Sequence, residues 1–377
     1  MSKLDQLIEE LCPTGVLFTE LRDVCQIKNG KDWKTQEYGD IPVYGSGGRM
    51  DATVLTPSYD KPTVLLPRKG SLNVQYVEEP FWNVDTVFYT ICDEKTVDPK
   101  FLFYYLKTIN LAAISTSSTR PSLTQSALSK IRVPLAPLPV QQEIVRILDS
   151  FTQLEAELEA ELEAREKQYE YYEMVLTDPF HAPGELKEGW QAARLGDICR
   201  VEKGKTPIQK AIPGRYPLVA TTQERQSSAD YQFDDEAVCV PLISSRGHGV
   251  ASITRIYYQS GKFALGNILC AVIPDDPSLV SAKFLRYFLY SRKDFLLVPL
   301  MRGGANVSLT IDALKTVKIQ FPPLVEQNRI VKILDCFLAL YSDRSSGLPV
   351  EIAARRKQHE YYREQLLTFK ELGLWAI

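Results

Sequence analysis

The sequence predicts a mixed α/β (α+β) fold in which two pseudo-twofold-related domains are separated by two long antiparallel helices that form a coiled coil. Three observations predict it: an internal repeat, two long stretches with helical periodicity, and short apolar runs typical of strands. In the repeat, Ser122-Leu123-Thr124 returns as Ser308-Leu309-Thr310, which is 186 residues later (308 − 122). The similarity continues without a gap to Phe151 and Phe337. A repeat of this length indicates that the function also comes in two related halves.

Other segments repeat in the same order: Leu21–Cys25 with Leu195–Cys199, Gly30-Lys31 with Gly204-Lys205, Ile144–Asp149 with Ile330–Asp335, and Lys167–Tyr172 with Lys357–Tyr362. The middles of the two copies diverge, as between Tyr44–Arg49 and the roughly corresponding Val219–Gln223. A shared scaffold with altered loops is typical of two related domains that bind different ligands.

The first domain is predicted over residues 1–137 and the second over residues 181–323. Each contains short β-rich runs separated by Gly, Pro, Ser and Asn turns, for example Val84–Ile91 and Ile268–Ile273. Each also has one shorter predicted helix, at Phe101–Leu106 and at Phe284–Leu289. Strands combined with one such helix predict a mixed α/β domain in both halves.

The first long helix is predicted over residues 138–180. Its apolar positions from Ile144 to Leu176 step mostly by three or four, which is the spacing of one helical face. Inside it, three tandem tetrads of the type Leu-Glu-Ala-Glu begin at Leu154 and consist of strong helix formers. Pro137 before it and Asp178-Pro179 behind it predict where the helix begins and ends.

The second long helix is predicted over residues 324–377, and its run Ser345–Pro349 is expected to break or kink it. Each apolar stripe is too exposed for its helix to stand alone. The most economical arrangement buries the two stripes against each other as an antiparallel coiled coil. The alternative is that each helix packs on its own domain.

Composition indicates a folded cytoplasmic protein. Apolar residues make up 45% of the chain and charged residues 24%, and no apolar stretch approaches the roughly 20 residues that cross a bilayer. The N-terminus has no secretion signal, and the seven cysteines include no Cys-x-x-Cys spacing. Reduced, buried thiols are therefore expected, Cys25 and Cys199 at equivalent repeat positions among them.

Charge is unevenly distributed along the chain. The net charge is −3, but the segment from Asp149 to Glu173 has nine acids and two bases and carries −7 by itself. The rest of the chain therefore carries +4 (−3 minus −7). An acidic helix beside mildly basic domains leaves nucleic-acid binding open, although the total charge argues against it.

Several short motifs, in this order and partly duplicated, resemble one known family, the specificity (S) subunit of Type I restriction–modification systems. The motifs are Leu195–Ile198 with Gly204–Pro207, Ile41–Gly48, Pro80–Thr86, Pro139–Val145 before the tetrads, and Arg355–Gln358 with Glu360–Tyr362. The similarity covers essentially the whole chain.

The resemblance implies a non-catalytic, sequence-specific DNA recognition subunit. Residues 1–137 and 181–323 would be two target-recognition domains, and the two long helices would be spacers that fix the gap in a bipartite site of double-stranded DNA. The partners it implies are two adenine methyltransferase (modification) subunits and a restriction/translocase subunit. No cofactor is expected in this chain, because S-adenosylmethionine would belong to the methyltransferase subunit.

Polar and basic loop positions with glycine neighbours are the candidate DNA-binding residues, because Arg and Lys suit phosphate or guanine while Asn and Gln suit adenine. In the first domain they are Lys28, Lys31, Tyr44, Ser46, Arg49, Arg68, Lys69, Ser71, Asn73 and Arg120. In the second they are Lys203, Lys205, Thr206, Thr222, Gln223, Arg225, Arg246, His248, Arg302 and Asn306. Lys69-Gly70 and Arg246-Gly247 are interpreted as matching repeat positions. Ordinary solvated loop charge is the alternative for each single residue.

Candidate partner-docking residues lie near the ends of the two long helices: Tyr171, Tyr172, Arg355, Arg356, Lys357, Tyr361 and Tyr362. For whichever tyrosine of each pair faces the helix–helix seam, packing is the favoured interpretation. Two other functions stay open: a coiled-coil scaffold whose α/β domains bind protein or carbohydrate, and an enzyme that uses Cys25 and Cys199. No catalytic motif is recognisable, and His181, His248 and His359 with scattered acids form no metal-ligand pattern.

Overall fold

The computed structural model describes residues 2–116, 121–222, 226–246, 249–342 and 347–372. Its helices are α1 Lys3–Leu11, α2 Leu21–Val24, α3 Pro99–Leu106, α4 Gln125–Ser129, α5 Leu138–Leu176, α6 Leu195–Ile198, α7 Ala282–Ser291, α8 Lys293–Leu296, α9 Ile311–Lys315, α10 Leu324–Ser342 and α11 Leu348–Leu366. Short 3₁₀ turns lie at Leu111–Ile114, Ile208–Lys210 and Val298–Leu300.

The strands up to the long helix α5 are β1 Leu17–Glu20, β2 Cys25–Asn29, β3 Ile41–Gly45, β4 Gly48–Val54, β5 Thr63–Pro67, β6 Gln75–Val77, β7 Trp82–Asn83, β8 Val87–Cys92 and β9 Arg132–Leu135. Those after it are β10 Phe180–Ala182, β11 Glu185–Leu186, β12 Gln191–Arg194, β13 Cys199–Lys203, β14 Tyr216–Val219, β15 Gln226–Ser228, β16 Phe233–Asp234, β17 Ala237–Pro241, β18 Tyr257–Gln259, β19 Lys262–Leu265, β20 Leu269–Pro274 and β21 Lys318–Phe321.

The chain forms two compact units. The first unit comprises residues 1–159 and 351–377, and the second comprises residues 160–350. The boundary between residues 159 and 160 falls inside α5. Each unit therefore combines a β-rich part with one portion of α5 and with a second long helix, which is α11 in the first unit and α10 in the second.

The first unit has an antiparallel sheet in the order β2-β8-β5-β6 and a smaller one in the order β4-β3-β7. In the smaller sheet, β3 is antiparallel to β4 and parallel to β7. Helix α3 packs on the larger sheet, and Asp98 caps it by accepting hydrogen bonds from the N–H groups of Lys100 and Phe101. Phe101 and Leu102 are fully buried in the core that results.

The second unit repeats this plan with β13-β20-β17-β18 and β15-β14-β19-β16. Strands β14 and β19 are parallel with Val219 opposite Leu265, as β3 and β7 are with Tyr44 opposite Asn83. Helix α7 takes the place of α3 and is capped by Ser281. The internal repeat of the sequence is thus a repeat of topology.

The long helices pack in two ways within the units. The first turns of α5 lie in the core of the first unit through Val140, Ile144 and Leu148, and α10 enters the core of the second unit through Ile330 and Leu334. Farther along, helix packs on helix. Both packings that the sequence left as alternatives therefore occur.

In the first unit, α5 and α11 are antiparallel, because residue numbers rise on α5 while they fall on α11. The contacts that show it are Phe151 with Tyr362, Glu155 with His359, and Glu159 with Arg356. In the second unit, Tyr172 of α5 stacks on Phe337 of α10 with 5.0 Å between ring centroids. The predicted mixed α/β fold with paired long helices is confirmed.

The second long helix of the sequence is described as two helices, α10 ending at Ser342 and α11 beginning at Leu348 with Pro349 in its first turn. Residues 343–346, which include Ser345 and Ser346 of the predicted kink, lie outside the described residues. Helix α5 ends at Leu176, earlier than the predicted residue 180, and Pro179 lacks the N–H group that a further turn would need. Within the described residues, every helix is either too short or too polar to cross a bilayer.

Candidate nucleic-acid interface

Four chain segments meet at one edge of the β-rich part of the first unit. The end of β2 continues into Gly30, whose N–H donates to Val87 O at 3.2 Å, and the N–H of Lys31 donates to Asn83 O at 3.0 Å. The N–H of Val84 donates to Tyr44 O at 3.0 Å. We call this strand-end region of the first unit edge 1.

Glycine is needed at Gly30 because the backbone of the neighbouring segment comes very close. A Cβ atom there would lie 2.0 Å from Val84 O, a distance that no side chain tolerates. At the equivalent place of the second unit, a Cβ atom on Gly204 would lie 2.2 Å from Gly266 O. The repeated Gly-Lys pair of the sequence therefore places Lys31 and Lys205 at matching points of the two units.

A second loop brings basic residues to edge 1. The backbone N–H groups of Arg68 and Lys69 both donate hydrogen bonds to Thr86 O, at 2.9 and 3.3 Å. Gly70 follows with φ +87°, and a Cβ atom on it would lie 2.9 Å from the hydroxyl of Ser46. Three predicted residues from distant parts of the sequence, Ser46, Arg68 and Lys69, are thus brought together.

Other predicted residues of the first unit are held by neighbours. The hydroxyl of Tyr44 donates to Glu79 at 2.9 Å, and the ring of Tyr44 meets Phe81 edge-on. Burial and then this carboxylate raise the pKa of Tyr44 above its ordinary value. Arg49 lies 3.8 Å from the same Glu79 carboxylate. Lys28 and Ser71 are exposed.

A shallow groove runs along edge 1 beside the β3–β4 turn and contains Ser46 and Arg49 of the predicted set. Asp32, Trp33 and Lys34 also line it and were missed by the sequence reasoning. The only feature of the sequence that could have indicated these three residues is that they follow Gly30-Lys31 directly. Asn73 is not part of this groove and lines a separate cavity beside α3. Arg120 lies outside the described residues.

In the second unit, Gln232 joins the residues after β13. Its Nε2 donates to Lys203 O at 2.9 Å, and its Oε1 accepts from the N–H of Lys205 at 2.8 Å. The N–H of Thr206 donates to Leu265 O at 3.1 Å. We call this strand-end region edge 2. Gln232 is a residue that the sequence did not mark, because it lies 27 positions after Lys205.

Two loops of the second unit meet beside edge 2. The N–H of Ser244 donates to Val307 O at 2.9 Å, and the N–H of Gly249 donates to Ala305 O at 3.2 Å. These contacts bring Arg246 into the same loop pair as Arg302 and Asn306. The side chain of Arg302 folds back and donates to Pro299 O and Met301 O at 2.5 and 2.9 Å.

Thr222 is exposed and lines a groove with Gln226, Arg255 and Tyr257. The predicted residues Gln223, Arg225 and His248 lie outside the described residues.

The predicted match between Lys69 and Arg246 is wrong. Lys69 forms an isolated β-bridge with Ser122, whereas Ile243 forms one with Ser308. Because Ser122 and Ser308 are equivalent in the repeat, Ile243 occupies the position of Lys69. The backbone O of Arg68 accepts from Leu123 N at 2.9 Å, and the O of Leu242 accepts from Leu309 N at 2.8 Å. The error arose because the loops between these points differ in length. The Arg-Lys pair of the first unit is therefore Leu-Ile in the second.

In each tyrosine pair of the long helices, one ring packs in a helix–helix seam and the other is exposed, as expected. Tyr362 stacks on Phe151 at 5.4 Å and Tyr172 on Phe337 at 5.0 Å, so these two tyrosines face the seams within their units. Tyr171 and Tyr361 are each 58% exposed.

Basic residues of α11 also differ in their partners. Arg356 pairs with Glu159, and Arg355 lies 3.6 Å from Glu351 on its own helix, whereas Lys357 is exposed.

Cys25 and Cys199, the two cysteines at equivalent repeat positions, are unsuited to nucleophilic chemistry. Cys25 and Cys199 are both buried, and burial raises the pKa of Cys199 to about 12. A hydrogen bond with Cys92, and then burial, raise the pKa of Cys25. A nucleophile must be a thiolate near neutral pH. Among the described residues, His, Cys, Asp and Glu form no group of three that could hold a metal ion.

The protein has two related β-rich domains, and each is joined to long helices. In each domain a glycine lets the ends of neighbouring strands approach closely. These features define a protein with two related recognition domains. The chain belongs to the family of the Type I restriction modification DNA specificity domain, whose profile matches residues 13–164 and 187–353. It is therefore a specificity subunit, a class without catalytic activity of its own.

Relatives and solved structures agree with this membership. The chain is 33% identical to the Escherichia coli Type I restriction enzyme EcoR124I/EcoR124II specificity subunit over 306 residues, which is 74% of this chain and 73% of that protein. A Haemophilus influenzae protein named as a type I restriction enzyme specificity subunit is 33% identical over 88% of this chain and 89% of its own. The S subunit from M. genitalium has the same fold, with a TM-score of 0.58 at 16% identity over 94% of this chain and 96% of that one.

Proposed function

We propose that this chain reads a bipartite DNA site with a fixed gap and positions partner adenine methyltransferase and restriction subunits on it. The observation that carries the proposal is that edges 1 and 2 share a backbone framework but present different side chains at equivalent points. Tyr44 corresponds to Val219, and Lys69 corresponds to Ile243.

A shared framework with different side chains suits two readers of different sequences. Base edges in the major groove are distinguished by the hydrogen-bond groups that face them, whereas phosphates accept any suitable donor. Arg68 and Lys69 at edge 1, and Arg246 with Asn306 beside edge 2, provide donors of the required kinds. Two domains of the same topology would suit a duplex whose backbone has twofold symmetry.

The long helices would set the gap between the two half-sites. Each Leu-Glu-Ala-Glu tetrad adds about 6 Å to a helix, against roughly 3.4 Å per base pair of DNA. The tetrads begin at Leu154 in α5, where Glu155 and Glu159 pair with His359 and Arg356 of α11. The net charge of −7 on residues 149–173 would repel DNA phosphate and leave that surface to solvent or protein.

Two methyltransferase subunits would dock on the helix ends, with the exposed rings of Tyr171 and Tyr361 as equivalent anchors and with Arg355, Arg356 and Lys357 as basic neighbours. S-adenosylmethionine would bind the methyltransferase and not this chain. The target adenine must leave the base stack for methylation, so this chain would fix the register while the partner extrudes the base. The complex would act on DNA inside the cell.

The test is to express the chain with its methyltransferase in a host that lacks other adenine methylation and to sequence the methylated genome. The expected result is one motif made of two different half-sites, each with a methylated adenine, at a constant spacing. A single contiguous motif, or two half-sites at variable spacing, would contradict the proposal. Catalytically inactive methyltransferase with the same chain is the control for background signal.

A further inference from the structure

The first unit contains a cavity of about 680 Å³ that lies apart from the groove at edge 1. Strand β6, helix α3, the first portion of α5 and helix α11 surround it. Its lining includes Lys100 of α3, Lys107 directly after α3, Asp149 of α5, and His359 and Arg363 of α11, together with the rings of Tyr76 and Phe103. Cationic groups from two separate helices thus converge on one space.

The acids at this cavity already have partners. Asp149 accepts from the hydroxyl of Tyr104 at 2.7 Å and lies 3.0 Å from the ammonium group of Lys100. Glu155 lies 2.8 Å from Nδ1 of His359. Lys107 and Arg363, by contrast, form no ion pair with any described residue. Lys107 and Arg363 therefore face the cavity without a direct ion-pair partner among the described residues.

Hydrogen bonding is also incomplete at this place. Nε of Arg363 and Nε2 of His359 are buried and have no hydrogen-bond partner among the described residues. The guanidinium Nε always carries a hydrogen, so Arg363 keeps a buried donor without an acceptor. A buried donor of this kind destabilises the folded state unless something accepts from it. Partial burial and then the nearby Arg363 lower the pKa of Lys107, and the carboxylate of Glu155 offsets this lowering only in part.

In the second unit, the position equivalent to Arg363 is occupied by an acid. Alignment of Lys167–Tyr172 with Lys357–Tyr362 puts Glu173 at the position of Arg363. The Glu173 carboxylate is buried and lies 3.2 Å from Arg286 of α7. The equivalent of Arg286 on α3 is Phe103, because Lys100 and Lys283 make the same contact with Asp149 and Asp335. The second unit thus places an acid beside Arg286, whereas the first unit has the cation Arg363 at the position of that acid and Phe103 at the position of Arg286.

We infer that this cavity of the first unit binds a phosphate-type oxyanion between Arg363 and Lys107. Guanidinium and ammonium groups are the donors that proteins use for phosphate, and the fork of arginine can supply Nε together with a terminal nitrogen. Nε2 of His359, which also lacks a partner among the described residues, lies at the same cavity. The cavity is larger than one phosphate and lies beside aromatic rings, so it also accommodates a small organic phosphate. This site does not depend on the proposed reading of DNA.

The first experiment measures binding of inorganic phosphate to the full chain by calorimetry in a buffer free of other oxyanions. One phosphate per chain is expected. Arg363→Gln and Lys107→Gln should each weaken binding at least tenfold, whereas Lys95→Gln, which removes an exposed cation of the same unit, should leave it unchanged. Arg363→Glu copies the acid of the second unit and should abolish binding while raising the melting temperature.

A second arm identifies the source of the phosphate. If a DNA duplex competes with inorganic phosphate and Arg363→Glu weakens both, the oxyanion is a backbone phosphate; independent binding identifies a free small molecule. The inference is overturned if wild-type chain takes up no phosphate. It is also overturned if the Arg363 and Lys107 variants, folded as judged by circular dichroism, bind phosphate as wild type does.

Discussion

Gln141 Oε1 accepts a hydrogen bond from the backbone N–H of Asp98 at 2.9 Å and so joins the first turn of α5 to the start of α3. Nε2 of the same side chain donates to Thr96 O and Ala136 O at 2.9 and 2.6 Å. Gln327 makes the same three contacts in the second unit, with Ser281 N, Leu279 O and Pro322 O at 2.8, 2.9 and 2.8 Å. One buried amide therefore attaches each long helix to its β-rich part.

Replacing Gln141 by alanine should lower the free energy of unfolding by roughly 2 kcal/mol, because two carbonyls and one N–H lose their partner in a buried place. Urea unfolding followed by circular dichroism measures it. The matched control is Gln142→Ala, since Gln142 is the exposed neighbour on the same helix. Equal stability of the two variants would show that the amide contacts do not hold the helix.

Inserting one Leu-Glu-Ala-Glu tetrad before Leu154 should lengthen the gap between half-sites and leave the half-sites unchanged. The reason is that the insertion adds about 6 Å of helix without touching either edge. Methylated-motif sequencing reads both quantities in one experiment. A four-residue insertion of different helix-forming sequence is the control and should give the same new gap. An unaltered gap would show that the length of the helices does not set the spacing between the half-sites.

Arg246→Ala should weaken or relax recognition of one half-site only, and a joint Arg68→Ala and Lys69→Ala change should affect the other. A lost base or phosphate contact of this kind reduces affinity about tenfold to hundredfold. Binding to duplexes in which each half-site is scrambled in turn separates the effects. Lys130→Ala, an exposed cation away from edge 1, serves as control. Equal loss at both half-sites would argue against separate readers.

Stability of the second unit should depend on Glu173 in a defined pH window. Burial raises the pKa of Glu173 to about 7 despite Arg286, from about 4.5 in an unfolded chain. The folded state therefore binds more protons than the unfolded state between these values, and stability falls as pH rises from about 4.5 to about 7. The change is on the order of 3 kcal/mol.

Glu173→Gln should flatten this dependence, as measured by urea unfolding at pH 5 and pH 8. Glu170→Gln, a change at an exposed acid on the same helix, should keep the wild-type slope. If the two variants show the same pH dependence, the buried carboxyl is not its source.

The two tyrosines of each pair should have separable roles. Tyr361→Ala and Tyr171→Ala should reduce co-purification with the methyltransferase and leave the melting temperature unchanged, because both rings are exposed. Tyr362→Ala and Tyr172→Ala should lower the melting temperature, because each loses an aromatic stack within its unit. A loss of stability from the exposed pair, with normal partner binding, would contradict this division.

The sequence by itself determined the class of fold, the duplication and the long helices. These features follow from local patterns: helical periodicity, tandem strong helix formers, proline at helix boundaries, and a repeat such as Gly30 and Gly204 whose backbone role is the same in both copies.

Only the tertiary structure decided which distant residues meet. The pairing of Lys69 with Ser122 and of Ile243 with Ser308 corrected the match of Lys69 to Arg246, because a difference in loop length shifts the register without changing any local pattern. The sequence likewise did not indicate that Gln232 lies at edge 2 or that Lys107 and Arg363 line one cavity. Such contacts join residues far apart in the chain, so they depend on how sheets and helices pack and not on the periodicity of any single segment.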